Sequence, residues 1–124
     1  MMSLVSRPHM QIILFVQNMN SEVRFYRDVL GLPLRYPQGL DDFASEMWVE
    51  FEMGDTLLAL HGGAEEKPDD LHQIVFTVDN VAQSREMIIN TGIEMGSMRT
   101  LEDDSLSASG FTPNGHRFSI RSRV

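Results

Sequence analysis

Residues 11–34, QIILFVQNMNSEVRFYRDVLGLPL, combine two periodicities that decide the fold. Residues 11–16 are apolar and half of them are β-branched, which predicts a strand. The asparagine and serine oxygens at residues 18–21 can cap the start of a helix. From Val23 onward, apolar residues at positions i, i+3 and i+7 would form one apolar stripe along that helix. Gly31 is placed where a left-handed residue ends a helix, and a proline soon follows. The predicted unit is strand, cap, helix and stop.

The same unit occurs a second time along the chain. Residues 73–81, QIVFTVDNV, align with residues 11–19, QIILFVQNM, and share Gln, Ile, Val and Asn at an offset of 62, half of the 124 residues. A chance similarity between two strand–helix units is the alternative, but shared polar residues at fixed places favour a duplicated module. We therefore predict a single domain with module 1 at about 9–63, a linker at about 64–71 and module 2 at about 72–124.

Composition excludes several classes of protein. Apolar residues make up 42% of the chain and cysteine is absent, so this is an ordinary globular composition with no disulfide or thiolate site. The net charge of −8 argues against a nucleic-acid partner, because binding to phosphate backbones needs clustered Lys and Arg. The longest apolar run, residues 12–16, is too short to cross a bilayer. We expect a cytoplasmic protein with neither a nucleic-acid nor a membrane partner.

A β-hairpin follows the first helix. Residues 47–53 alternate between apolar and polar side chains, and Gly54-Asp55 predicts a two-residue type II′ turn into a returning strand. A turn of that length fixes the register, and directly opposed residues share one face of a sheet. The pairs predicted to share a face are Glu50 with Ala59 and Trp48 with His61.

The predicted strands have two different faces. One face is uniformly apolar, as expected beneath helices, whereas the other mixes aromatic, apolar and polar groups, which is typical of a ligand cavity. A solvated sheet face is the alternative interpretation. The residues that we predict to bind a ligand from this mixed face are Gln11, Ile13, Phe15, Trp48, Glu50, Ala59, His61, Gln73, Val75, Arg117 and Ser119.

Three segments resemble the vicinal oxygen chelate superfamily of glyoxalases, bleomycin-resistance proteins and extradiol dioxygenases. They are residues 21–32, SEVRFYRDVLGL; residues 74–81, IVFTVDNV; and residues 112–118, TPNGHRF. The resemblance implies an α+β fold in which two βαβββ modules form a cup-shaped mixed sheet with helices on the outer face. It also implies pairing as a homodimer.

The same resemblance implies where a metal would be bound. Metal-dependent members carry ligands on the first and last strand of each module, and those positions here are Gln11, Ala59, Gln73 and Ser119. A divalent cation prefers imidazole or carboxylate ligands, which also offset its charge. Amide and hydroxyl oxygens are weak ligands, and an alanine side chain offers none. We therefore expect no metal and no other cofactor.

Glu50 offers one way to restore a metal site. Its carboxylate faces Ala59, so Gln11, Glu50, His61 and Gln73 could form an unorthodox ligand set, with Glu50 also the catalytic candidate. Alternatively, Glu50 is a rim carboxylate hydrogen-bonded to a Gln or Arg side chain. His9, His72 and His116 are weaker ligand candidates, because they lie before the strand, on the other face and at a turn.

Arg117 suggests a further interaction. An Arg facing a cavity suits a carboxylate, phosphate or polarised carbonyl, although Arg117 could equally be solvated. Arg121, three residues from the terminus, is expected to lie over the rim in water.

Two functions follow from these expectations. The first is a small-molecule-binding protein of the glyoxalase/bleomycin-resistance type with a degenerate, metal-free site. The second is a metal-dependent glyoxalase-like lyase or isomerase that uses Glu50 in place of the missing carboxylates. Either would act on a small organic ligand, and the fold alone cannot decide between them.

Overall fold

The computed structural model of the protein describes residues 4–5, 10–69 and 71–122. The chain divides into two compact units, the first ending at Glu66 and the second beginning at Lys67. This boundary lies inside the segment 64–71 that the sequence assigned to a linker. His9, a weak ligand candidate, lies outside the described residues.

Each unit is a βαβββ module. The first contains β1 (Met10–Phe15), α1 (Met19–Arg24) with a π-helical continuation (Phe25–Val29), β2 (Leu34–Tyr36), β3 (Trp48–Met53) and β4 (Thr56–His61). The second contains β5 (Gln73–Val78), α2 (Val81–Asn90), β6 (Arg99–Thr100), β7 (Leu106–Phe111) and β8 (Arg117–Ser122). The predicted duplication and the α+β class are confirmed.

The two sheets have the same topology. Their strand orders are β1-β4-β3-β2 and β5-β8-β7-β6. In each sheet the first strand runs parallel to the last, and the remaining pairs are antiparallel. The helical crossover returns the second strand of each module in the direction of the first, and two further reversals give the last strand that direction too, so it can pair in parallel with the first. Both sheets are therefore mixed and four-stranded.

An asparagine shared by the two repeats starts each helix. The Asn18 side chain accepts a hydrogen bond from the backbone N–H of Ser21 at 3.1 Å, and Asn80 accepts one from Gln83 at 2.9 Å. Both asparagines have extended backbone angles, as an N-cap residue requires. The predicted caps are confirmed, and they explain one of the identities between the repeats.

The first helix ends with a wider turn than an α-helix has. The backbone N–H of Leu30 donates to the oxygen of Phe25, five residues earlier, and Leu32 donates to Tyr26 across the helix end. Gly31 lies between them with φ of 77°, a conformation that glycine adopts without a Cβ penalty. The predicted stop at Gly31 is confirmed, whereas the π-helical spacing was not predicted.

A helix covers one face of the sheet in each unit. In the first unit the Tyr26 ring lies 5.9 Å from that of Phe51. In the second unit Val81 and Ile88 of α2 are buried, whereas Ile89 is 38% exposed. Ile89 lies about 100° around the helix from Ile88 and therefore points away from the sheet. The buried strand residues of these faces are Val49, Phe51, Leu58, Leu60, Phe76, Ala108, Phe118 and Ile120.

No helix among the described residues is long and apolar enough to cross a membrane.

Candidate functional site

The face of each sheet that lies opposite the helix is called its open face. In the first unit the predicted register of the hairpin is confirmed, since Glu50 pairs with Ala59 and Trp48 pairs with His61. Gly54 has φ of 58° at the first turn position, as a type II′ turn requires. The predicted ligand-binding residues on this open face are Gln11, Ile13, Phe15, Trp48, Glu50, Ala59 and His61.

Aromatic rings surround His61 on this open face. The imidazole centroid lies 4.9 Å from the Phe15 ring and 6.1 Å from the Trp48 ring. Its Nδ1 lies 2.7 Å from the Gly62 carbonyl oxygen, which can only accept, so Nδ1 carries the proton. In the neutral ring the lone pair therefore lies on Nε2. Phe15 is 56% exposed, so this cluster presents an apolar surface beside a hydrogen-bond acceptor.

The Glu50 carboxylate is already held by neighbouring side chains. One oxygen accepts a hydrogen bond from the Trp48 indole N–H at 2.8 Å, and the other pairs with the Arg35 guanidinium. The Glu50 side chain is 13% exposed. Arg35 also lies 3.6 Å from a Glu52 oxygen. Of the two roles that the sequence left open for Glu50, this geometry matches the carboxylate bonded to an arginine.

Ala59 lies between these groups with no side-chain donor. It pairs with Ile13 on one side and Glu50 on the other, and it is fully buried beneath the larger neighbouring side chains. Gln11 and Ile13 are exposed at the outer edge of the sheet on β1. The first open face is therefore mainly apolar, with Glu50 and His61 as its central polar groups.

The open face of the second unit contains a cavity of about 400 Å³. The residues lining it are Gln73, Val75, Gly96, Ser97, Arg99, Leu101, Ser107, Ala108, Ser109, Arg117, Ser119 and Arg121. Four of the predicted site residues are among them. This volume falls within the usual range for small-molecule sites, roughly 300–1,000 Å³.

A chain of hydrogen bonds crosses the floor of this cavity. The Ser119 hydroxyl donates to the Gln73 side-chain oxygen at 2.5 Å and lies 2.7 Å from the Ser109 hydroxyl. Ser119 is only 4% exposed. Its oxygen is thus committed to protein partners, which reduces what it could offer a ligand.

Three arginines line the cavity, and one of them is neutralised. Arg121 pairs with the Asp103 carboxylate and donates from Nε to the Ser105 hydroxyl at 3.1 Å. The Ser105 hydroxyl and backbone N–H lower the pKa of Asp103 below its usual range, with Arg121 adding to the effect. Arg121 was expected to lie over the rim in water; its side chain is 39% exposed, and these two partners hold it at a position that lines the cavity. Arg99 and Arg117 have no ion pair within the part of the chain that the structure describes.

The sequence was compared with models of known protein families. A model of the Glyoxalase/Bleomycin resistance protein/Dioxygenase superfamily matches residues 8–120. The chain belongs to this superfamily. A search of curated protein sequences finds no match.

Three solved structures illustrate the likeness in fold. Lactoylglutathione lyase from Agrobacterium tumefaciens is 19% identical, with a TM-score of 0.71 and 91% of each chain covered. The fosfomycin resistance protein FosX from Mesorhizobium loti is 18% identical, with a TM-score of 0.72, and the match covers 98% of this chain and 95% of that one. TnmS3, an antibiotic binding protein from Streptomyces sp. CB03234, is 14% identical, with a TM-score of 0.77 and coverage of 98% and 100%. At identities this low, the structural likeness shows the shared fold alone.

The four positions implied to bind a divalent metal carry neither a carboxylate nor an imidazole. The described residues contain no group of three or more His, Cys, Asp or Glu side chains placed to hold a metal ion. At the four implied ligand positions the structure places two amides, one alanine and one hydroxyl. Of the weaker histidine candidates, His72 is exposed beside Asp69, and the backbone N–H of His116 donates to Thr112.

Arg35, Arg99, Ser107 and Ser109 were not predicted from the sequence. Arg35 and Arg99 lie on β2 and β6, which have only three and two residues, so no alternation was long enough to show. Ser107 and Ser109 lie on β7, where LSASGF alternates between serine and small or apolar residues. That alternation is the sequence signal that could have identified the two serines as sharing one face of a strand.

Proposed function

We propose that this superfamily member binds a small organic molecule without a divalent metal. The observation that carries the proposal is that the side chains at the implied metal-ligand positions either bond to each other or offer no ligand atom. Gln73 and Ser119 are bonded to each other, and Ala59 is buried without a donor. A cation placed among neutral amide and hydroxyl groups would remain largely uncompensated in a partly desolvated site.

Glu50 and His61 do not supply the missing ligands. The Arg35 guanidinium already offsets the charge of the Glu50 carboxylate, and the Trp48 indole is hydrogen-bonded to its other oxygen, so Glu50 is a weakened metal ligand. One nitrogen of His61 has no hydrogen-bond partner among the residues that the structure describes, but a single imidazole falls well short of the set of ligands with which proteins hold a divalent metal. The alternative function, a metal-dependent glyoxalase-like lyase or isomerase with Glu50 as its base, is less well supported for the same reason.

The open faces offer suitable surfaces for an organic ligand. The exposed Phe15 ring beside His61 and Trp48 suits a planar or apolar group, because aromatic faces stack at low entropic cost. The cavity of the second unit is large enough for a small organic molecule. That TnmS3 is an antibiotic binding protein shows that this fold can serve binding.

Metal titration tests the metal-free part of the proposal. Zinc, nickel and manganese are titrated into the protein by calorimetry, beside Glu50→Gln and the matched control Glu52→Gln, a neighbouring carboxylate on the same strand and face. We expect no binding tighter than millimolar with any of the three proteins. Micromolar binding that Glu50→Gln abolishes and Glu52→Gln leaves intact would overturn the proposal and favour the lyase.

Ligand binding is followed through Trp48, the only tryptophan in the chain. Its indole lies on the open face of the first unit, so a ligand stacking there will change its fluorescence. A panel of aromatic and heteroaromatic compounds is titrated, with Phe15→Ala as the variant that removes part of the surface. If no compound alters the fluorescence saturably, the first unit loses its proposed role as a binding surface.

We also propose a cytoplasmic homodimer with no nucleic-acid or membrane partner. The net charge of −8 supports the exclusion of nucleic acid. Exposed apolar side chains in the first unit, among them Met47 at 55% and Phe15 at 56%, support self-association.

A further inference from the structure

The open face of the second unit concentrates positive charge in an otherwise acidic protein. Three of the ten Lys and Arg residues line one cavity, and none of the lining residues is acidic. We propose that this cavity binds its ligand through an anionic oxyacid group, a carboxylate or a phosphate, held by Arg117 and Arg99. This inference rests on the proposed function and names the chemical class of the ligand.

The strand register places the arginines at the two ends of the cavity floor. Arg99 and Arg121 flank Ser107 in one cross-strand row, and Arg117 lies between Phe111 and Gln73 in another. The row that contains Ser109 and Ser119 lies between these two rows, roughly 7 Å from each of them along the strands. Flexible Arg side chains from both ends can therefore reach a group bound above the serines.

Two of the three guanidinium groups are available to a ligand. Arg121 is already paired with Asp103, whereas Arg99 and Arg117 have no carboxylate partner among the described residues. Glu102 and Asp103 line a neighbouring depression, which shares Arg99 and Arg121 with the cavity, and they do not line the cavity itself. A planar guanidinium without a partner favours an oxyanion, which it can bind with two parallel hydrogen bonds.

Gln73 adds donors to the same end of the cavity. Its side-chain oxygen accepts the Ser119 hydroxyl, so its NH₂ group is the part left for a ligand. Gln73 pairs directly with Arg117 in the β5–β8 ladder. This end therefore presents donors from two side chains, which favours an acceptor-only group such as a carboxylate or a phosphate.

Matched probes separate the effect of charge from the effect of shape. Benzoate, phenyl phosphate and the neutral isostere benzamide are titrated while backbone amide NMR signals of Gln73, Val75 and Ser119 are followed. We expect both anions to bind at least tenfold more tightly than benzamide. Raising the ionic strength should weaken the anions and leave benzamide unchanged, because salt screens exposed charges. The ratio of benzoate to phenyl phosphate affinity distinguishes the two sources of the anionic group.

Three variants test the assignment to Arg117. Arg117→Gln should weaken benzoate and phenyl phosphate about tenfold, as expected for loss of a charge-assisted pair. Arg117→Lys should recover part of that loss, because it keeps the charge without the planar fork. The control Arg24→Gln removes the same charge from an exposed position on α1 and should change nothing. NMR spectra of each variant report whether it is folded.

Several outcomes would overturn the inference. Equal affinities for benzamide and benzoate, unaffected by Arg117→Gln, would show a neutral ligand site and leave the proposed binding function standing. An absence of saturable shifts with both anions at millimolar concentration would also refute it. The proposed function is then judged separately, by the Trp48 titration and the metal titrations, which do not depend on these arginines.

Discussion

Replacing Ser119 by alanine should destabilise the protein measurably. The Ser119 hydroxyl donates to Gln73 and contacts Ser109 across three neighbouring strands, and the residue is only 4% exposed. Ser119→Ala removes both interactions and leaves the Gln73 oxygen without this donor in a partly buried site. Each lost hydrogen bond contributes roughly 0.5–1.5 kcal/mol, so we expect a decrease of about 1–3 kcal/mol in the free energy of unfolding.

The assay is urea unfolding followed by circular dichroism, with Ser107→Ala as the matched control. Ser107 lies on the same open face, also lines the cavity and has no side-chain hydrogen bond within the described residues. Its replacement should change stability by less than about 0.5 kcal/mol. For Ser119→Ala the midpoint should fall by on the order of 1 M urea at an unchanged slope. Equal effects of the two substitutions would refute the reasoning that this implied ligand position now has a structural role.

Three further predictions concern stability and assembly. Asn18→Ala should cost about 1 kcal/mol of unfolding free energy through loss of the N-cap, whereas the control Asn90→Ala, at the end of α2, should cost much less. Burial, followed by the nearby Glu22, raises the pKa of Tyr26 well above its usual value. The unfolded chain therefore releases this proton first, and the free energy of unfolding should fall as the pH rises above about 10, a slope that Tyr26→Phe reduces. Light scattering should return the mass of a dimer, and the monomer mass over a wide concentration range would contradict the proposed assembly.

The fold was largely predictable because its determinants are local. The identities between residues 11–19 and 73–81 include the asparagine that caps each helix, and a cap acts on the next three residues only. The Gly54-Asp55 turn fixed the pairing of Glu50 with Ala59 by its length. These signals need no knowledge of distant parts of the chain.

The missed features depend on tertiary context. The π-helical spacing at residues 25–29 has no simple sequence signature, and the short strands β2 and β6 form because longer strands provide an edge to pair with. The partners of Glu50 illustrate the same limit. The alternation of strand β3 predicts Trp48 on the same face as Glu50, but Arg35 reaches Glu50 from β2, fifteen residues away in sequence.

The two open faces carry different side chains on the same repeated fold. In the first unit Gln11 pairs with Leu57 and Phe15 pairs with His61. At the equivalent places in the second unit Gln73 pairs with Arg117 and Thr77 pairs with Arg121. These rungs point away from the helix-covered core, so substitutions there change the ligand that a unit can bind with little effect on its packing. The first unit therefore presents aromatic and imidazole groups and the second presents guanidinium groups, although both use the same strand, cap and helix. Each open face should consequently respond to its own class of ligand, aromatic in the first unit and anionic in the second.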